Sequence, residues 1–255
     1  MGKLRFIMAI VCLPMLLHGQ LTTEADWKRQ VYDREFTGGI IFHNRGYGIN
    51  FRNLYFNDGF DKWGMEFDLA MIRHPKEIKF PSPYFYNSSR SFVYGKLNGL
   101  FTLRTGYGRD KVLIDKTDQG SISISWITFG GLSLGFLKPV YLDIFKETPQ
   151  GDLLSTERYN PEVHDYTDIF GQAPFFTGIE NSSIRAGIYF KTGFAFDYNW
   201  SDKKVTTLEI GAIVDYFPQW FGLYKDVDLP IMYNSKNYNT WLQFYVSANF
   251  GSKWN

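Results

Sequence analysis

The sequence is poor in cysteine: Cys12 is the only one. It lies inside an apolar N-terminal run, and the short apolar stretch Phe6–Val11 before it is too brief for a lipoprotein signal, with Ala-Ile-Val a poor approach to a lipidated cysteine. A chain that loses this segment carries no disulfide and no thiol chemistry. Long apolar runs are also missing. No stretch reaches the 18 residues read as a spanning helix, which excludes a helical membrane protein. Neither sign of charge is in excess, with 27 basic and 26 acidic residues, so there is no electrostatic case for nucleic acid. Histidines number four, and no His-x-Ser pair occurs that would suggest a lipid-deacylating dyad with an orienting acid. Glu162, His164 and Asp165 are neighbours in one loop but a weak metal-ligand set. Gly106-Tyr107-Gly108-Arg109 is too short for a phosphate-cradling motif and follows a strand. No metal and no cofactor is expected, and each histidine reads as an ordinary surface group.

The N-terminus has the three parts of a signal peptide. Lys3 and Arg5 precede the apolar run Phe6–Leu17, and Gly19 suits the residue before a cut. The expected organisation is a signal peptide over 1–19, a periplasmic segment over 20–34, a barrel over 35–252 and a tail over 253–255. Cleavage would remove Lys3 and Arg5, leaving 25 basic against 26 acidic residues and a formal charge of −1.

Alternation is the strongest signal in the chain. Residues 184–200 set Ile184, Ile188, Phe190, Phe194, Phe196 and Trp200 against Arg185, Gly187, Lys191, Asp197 and Asn199. Alternate strand residues face opposite sides of a sheet. This strand is about three times the usual 5–6 residues, with charge on one face only. Seven more stretches alternate, near 35–44, 46–56, 62–73, 92–107, 119–142, 203–217 and 238–252. The spacing predicts eight strands; a hairpin at Gly130-Gly131 would instead help build ten. With the mature N-terminus in the periplasm, the connections 57–61, 108–118 and 201–203 fall inside. The long segments 74–91, 143–182 and 218–237 fall outside, with the tight turn near Arg45. Short periplasmic turns and long outer loops mark a transmembrane β-barrel. A soluble lipocalin-like barrel would reverse the faces, apolar inside and polar outside.

The signal peptide, alternating strands, Tyr- and Trp-marked strand ends and aromatic C-terminal strand together resemble the small outer-membrane β-barrel proteins of Gram-negative bacteria. The resemblance is architectural, covers nearly the whole mature chain, and implies an integral protein of the bacterial outer membrane in contact with its lipid. That pattern usually closes on an aromatic residue; here Asn255 is last, with Trp254 and Phe250 nearby.

Two residue sets are candidate functional groups. By strand phase the lumen receives Arg52, Lys96, Arg104, Arg185 and Lys191 against Glu66, Asp68, Asp197, Glu209 and Asp215. An eight-strand barrel is just wide enough for side chains to fill, and buried charge needs a partner, so a structural, paired network is expected rather than an ion path. The outer loops concentrate Pro and aromatics: Phe80, Tyr84, Phe85, Tyr86, Phe175, Phe176, Trp220 and Phe221. Such clusters mark contact surfaces or a cap of loops packed on one another. The expected function is a non-enzymatic docking subunit of a larger outer-membrane complex, with protein partners at these aromatics. A lipid-modifying enzyme and a small passive channel are the alternatives.

Overall fold

The computed structural model describes residues 32–84, 90–116, 121–148, 151–198, 203–218 and 229–255. The expected signal peptide lies outside the described residues. Among the described residues thirteen strands run in chain order: β1 (Arg34–His43), β2 (Gly46–Phe56), β3 (Asp61–Ile72), β4 (Lys79–Phe80), β5 (Phe92–Val93), β6 (Asn98–Ile114), β7 (Ser123–Pro139), β8 (Tyr141–Thr148), β9 (Gly151–Arg158), β10 (Ile169–Gln172), β11 (Ser183–Asp197), β12 (Lys204–Tyr216) and β13 (Thr240–Trp254). Eight of them close a barrel in the order β1, β13, β12, β11, β7, β6, β3, β2, every neighbour antiparallel. Closure leaves no unpaired edge, the only way a sheet can sit in lipid.

The wall is inside-out relative to a soluble barrel. Outward rows carry Phe36, Ile40, Phe42, Met65, Phe67, Leu69, Ile188, Phe190, Leu208, Ile210, Phe244 and Phe250, all exposed. The opposite rows bury Arg52, Glu66, Asp68, Arg104, Lys191, Glu209 and Asp215. Along β13 the outward row from Leu242 to Trp254 is about 40 Å of strand at about 3.3 Å per residue. Tilted by about 40°, it spans about 30 Å, enough to cross an apolar band about 25 Å tall. Tyr55, Trp63, Tyr107, Tyr198 and Trp254 ring one end and Tyr47 and Tyr216 mark the other, as aromatic side chains do at the two membrane interfaces.

Inside, packing is tighter than alternation of polar residues suggests. Ile41, Leu54, Ile127, Phe129, Tyr189, Ala195, Ile213 and Tyr245 form a buried cluster within the lumen. The large rings have room because glycines face them. A Cβ on Gly106 would strike the Tyr189 hydroxyl, and one on Gly211 would sit 2.8 Å from the Tyr245 ring.

Several strand boundaries differ from the sequence reading. Within the 119–142 stretch Ser123–Pro139 is one strand, β7, paired straight through Gly130-Gly131 to both β6 and β11, so the barrel count is eight, and Tyr141 and Leu142 already belong to β8. The 92–107 stretch is split. Gly95 has φ +79, which breaks the alternation, and the barrel strand β6 starts at Asn98 and continues to Ile114. Residues 253 and 254 are not a tail, since Trp254 pairs with Arg34 and ends β13. The 143–182 connection is not irregular: it holds β8, β9 and β10, a three-stranded sheet in the order β10, β8, β9. The strand β8 follows β7 after a single residue, Val140, so the barrel wall carries directly into this outer sheet.

Candidate functional site

The lumen charges form one chain of contacts. Arg52 lies between two acids, 2.7 Å from Glu66 and 2.7 Å from Glu209, with its guanidinium 4.7 Å from the Phe129 ring centre. Lys191 bridges Glu66 at 2.8 Å and Asp68 at 3.5 Å. Arg104 reaches Asp68 at 3.9 Å and grips Asp215 with two donors, at 2.8 and 2.7 Å. Gln243 and Ser133 donate to the same Asp215 carboxylate at 2.7 and 2.9 Å. The chain runs Glu209, Arg52, Glu66, Lys191, Asp68, Arg104, Asp215. Its ends are both on β12, and its middle crosses to β2, β3, β6 and β11. It therefore ties five of the eight strands through the barrel interior, three cations against four carboxylates.

Three residues assigned to the lumen by phase stand elsewhere. Lys96 falls in the turn ahead of β6 and pairs with Glu77 at 2.6 Å in the long-loop region. Asp197 is at the short-loop end, 3.3 Å from Lys116. Arg185 is half-buried on β11 near the long-loop end, opposite Gly135. The phase was right for the last two but not their depth, because strand ends rise out of the packed interior. Sequence reasoning missed a second lumen cluster near the short-loop end, where Lys62 meets Asp110 at 2.7 Å and Glu35 at 3.1 Å. Lys62 sits opposite Asp110 in the β3–β6 register, so extending the inward rows to the strand ends would have found it.

The long-loop mouth of the lumen is plugged. Leu229, Ile231 and Met232 fold over it against Ile72, Leu100, Leu137, Phe217 and Trp241. The segment is pinned by Leu97 and Asn98, whose backbone N–H groups donate to the Ile231 carbonyl at 2.8 and 3.3 Å. Asn237 braces it further, accepting from the N–H groups of Ile231 and Met232. An apolar lid above a continuous salt-bridge network leaves no evident wet path through the described residues.

The described histidines are not surface groups. His43 points into the lumen, His74 is buried beside the plug and His164 beneath the outer sheet. His43 occupies an inward position of β1 because the strand keeps its phase to the last residue. His74 stacks on Tyr238 and meets Trp241 edge-on, while its Nε2 lies 3.2 Å from the Lys236 carbonyl and its Nδ1 accepts from the Lys76 N–H. That geometry fixes a neutral tautomer, and burial lowers its pKa. His164 accepts from the Asn160 N–H and sits 3.6 Å from Glu157. His74 is held between the Lys76 N–H and the Lys236 carbonyl and His164 by the Asn160 N–H, whereas neither ring nitrogen of His43 has a hydrogen-bond partner among the described residues.

The loop aromatics divide. Phe85, Tyr86, Trp220 and Phe221 lie outside the described residues. Tyr84 and Phe80 each pack against other outer-loop groups, with Tyr84 half-buried and Phe80 38% exposed. Tyr84 packs 4.6 Å from Phe145 and donates to the Thr167 carbonyl at 2.9 Å, and Phe80 meets Tyr166 edge-on. Phe175 rests on the lipid-facing Phe101 at 5.8 Å, and Phe176 is 74% exposed beside it. Both lie at the rim of the outer wall, below the outer sheet.

The outer sheet has a firm base and an open tip. Phe92, Val140, Leu142, Ile144, Tyr159 and Ile169 form its core against the barrel mouth. Burial pushes the Tyr159 phenol up to about 12, and its oxygen accepts from the Gly95 N–H at 3.2 Å. Further out, Leu153 and Leu154 are 58% and 48% exposed. Adjacent strand residues face opposite sides, so neither face of the sheet is covered there. The strand β9 is also an edge, paired only with β8.

The fold and polarity define an eight-stranded barrel with an apolar outer wall and a filled, charged lumen. No protein-family model matches the sequence, and no curated protein matches it. Among solved structures, crystalline Neisserial surface protein A aligns at 9% identity and TM-score 0.39 over 88% of this chain and 96% of its own. Ail, the attachment invasion locus protein of Yersinia pestis, aligns at 9% identity and TM-score 0.34, over 86% of this chain and 97% of its own. A second Ail structure, in complex with the heparin analogue sucrose octasulfate, gives 10% and 0.33 over the same shares. The eight-strand closure is fixed by this chain's own register.

Proposed function

We propose that the protein is a non-enzymatic integral outer-membrane barrel that serves as a docking subunit of a larger envelope complex, with the outer sheet as its contact surface. The observation that carries this reading is the sheet tip. Leu153 and Leu154 expose apolar side chains on both faces of an edge strand, and an edge strand offers free backbone donors and acceptors to a partner strand. The plugged lumen supports a scaffold rather than a channel. The long connections share one end with this sheet, which supports placing that end outside the cell.

The test is site-specific photocrosslinking in native membranes. A benzophenone side chain at Leu153 or Leu154 should yield one discrete higher-mass adduct, and the same group at Ile188 on the lipid-facing wall should not. A barrel that stays heat-modifiable on gels yet gives no adduct from either leucine would end the docking reading. Orientation is tested separately. Ser155→Cys should react with an impermeant maleimide on intact cells, and labelling only after outer-membrane rupture would reverse the topology.

A further inference from the structure

A pocket of about 280 Å³ opens at the long-loop rim, where the ends of β3, β6 and β7 meet the outer loops. Its charge is one-sided. Arg73, Lys79, Lys96 and Lys138 line it against a single acid, Glu77, which is taken by Lys96 at 2.6 Å. Arg73, Lys79 and Lys138 outnumber the acids of the lining, with Arg73 lying over the Tyr47 ring at 5.9 Å and Glu180, outside the lining, acting on Lys138.

The placement of these cations follows from strand phase. Arg73, one residue past the end of β3, continues the outward row of Met71, and Lys138 follows Phe136 on the outward row of β7. Both rows are the lipid-facing ones, so the two cations stand directly above the apolar belt. Between them β6 contributes Gly99, paired with Lys138. A Cβ there would meet the Phe101 ring at 3.6 Å and the Lys138 carbonyl at 3.9 Å, ordinary contacts, so the absent side chain is what keeps this part of the wall open. The lower wall is apolar. Met71 and Phe101 face each other in the β3–β6 register, and Phe175 closes the side, with the Lys138 ammonium 5.4 Å from its ring centre.

We propose that this rim pocket binds the phosphate-bearing headgroup of a membrane lipid, with Arg73, Lys79 and Lys138 on the phosphate and the acyl chains lying down the wall over Met71 and Phe101. Charge complementarity selects an anion, and continuity with the belt selects one attached to apolar chains. The volume is just under the range of about 300–1,000 Å³ for whole small-molecule sites, which fits a headgroup rather than a complete lipid. The exposed Phe175 and Phe176 lie at the same rim and would sit among the chains, where aromatic side chains are favoured. The proposal rests on the barrel's place in a membrane and is independent of protein docking.

The test is native mass spectrometry of the folded full chain released from a neutral detergent, with bisphosphorylated lipid A as the probe and phosphatase-treated lipid A as the neutral control. Retention of the phosphorylated probe should exceed the control on the order of tenfold, and excess inorganic phosphate should not displace it. Arg73→Glu with Lys138→Glu should abolish the preference, and Gly99→Glu should do the same by placing a carboxylate in the pocket. Lys236→Glu, a charge reversal on a different outer loop, should leave it intact. Folding of every variant is checked by heat-modifiability, and Lys138→Gln carries the test where a charge reversal does not fold. Equal retention of the two probes overturns the proposal. So does loss of preference with Lys236→Glu, or displacement by inorganic phosphate, which would make the pocket a site for the free anion.

Discussion

Two adjacent inward carboxylates of β3 should respond to neutralisation very differently. Glu66 accepts from Arg52 at 2.7 and 3.2 Å and from Lys191 at 2.8 Å, and is fully buried. Glu66→Gln removes the charge from two cations at once. Breaking a buried pair by deleting one partner costs about 3–5 kcal/mol, because the other ion stays buried without compensation. Arg52 keeps Glu209 at 2.7 Å and Lys191 keeps Asp68 at 3.5 Å, so the low end, about 3 kcal/mol, is the expected loss. Asp68 is as deeply buried, but its contacts are 3.5 and 3.9 Å. Asp68→Asn turns three cations and four carboxylates into three and three, and keeps a neutral acceptor near Lys191. Its expected cost is below about 1 kcal/mol, the scale of one ordinary hydrogen bond. The gap of about 2 kcal/mol is roughly a 30-fold difference in the folded-to-unfolded ratio. Urea titration of the barrel in lipid vesicles at pH 7.5, followed by tryptophan fluorescence, reads it as a shift of midpoint at constant slope. Equal losses at the two positions, or the larger loss at Asp68, would refute the account of this network.

On the lipid face, Ile188→Lys should cost about 2–4 kcal/mol in the same titration, while Ile188→Leu should cost less than about 1.5 kcal/mol as a volume-conserving change; equal effects would refute the register of β11. Trp241→Ala should loosen the plug, raising protease sensitivity of 229–239, yet planar-bilayer recordings should stay silent because the salt-bridge chain below still fills the lumen. Acid should act on the plug through His74. Its folded pKa lies below its unfolded value near 6.5, so its contribution is complete above that value and is lost as the pH falls below it, when only the unfolded imidazole takes up a proton. The protection of residues 229–239 against hydrogen exchange, taken relative to the intrinsic rate at each pH, should therefore fall between pH 7.5 and 5 more than that of β13, and His74→Gln should remove the difference.

The barrel was legible because its physics is written at period two. Each inward or outward row is a list of every second residue, so the antiparallel barrel and the inward direction of Arg52, Glu66, Asp68, Arg104, Lys191, Glu209 and Asp215 could be read, with eight strands favoured and ten left open at Gly130-Gly131. Depth was less legible. Asp197 and Lys191 share one face of β11, but only Lys191 is near mid-strand, and alternation has no term for height along the axis. Turns inside an alternating stretch also escape it, as at Gly95, which put Lys96 outside the barrel strand. The outer sheet was missed for a different reason. Its strand β8 alternates only briefly, at Leu142 and Ile144, and in β9 Leu153 and Leu154 are adjacent and both exposed, so the two strands share no long period. The lumen glycines show the same blind spot. By phase Gly187 faces an open interior, but a Cβ there would meet the Phe217 ring at 2.6 Å, a contact between residues far apart in sequence.

The filled lumen and the outer sheet are connected through one strand pair. The wall strand β7 contributes Ser133 to the Asp215 carboxylate and, after Val140, becomes β8 of the outer sheet. A partner pulling on that sheet would load β7, and β7 is held by antiparallel pairing on both sides, with one register shift against β6 near Val112, and by a buried ion network behind it. Buried ion pairs add little net stability compared with apolar packing of the same volume, so stability alone does not account for seven charged groups in so narrow a lumen. Their geometric effect is different. A bidentate Arg104–Asp215 contact, together with Arg52 held between Glu66 and Glu209 and Lys191 between Glu66 and Asp68, fixes five strands in one register, because a slip by one residue would turn every charge of a strand toward lipid. The network is thus best read as a register lock. That locked barrel is a rigid mount from which the outer sheet and the rim pocket are presented at fixed positions relative to the membrane.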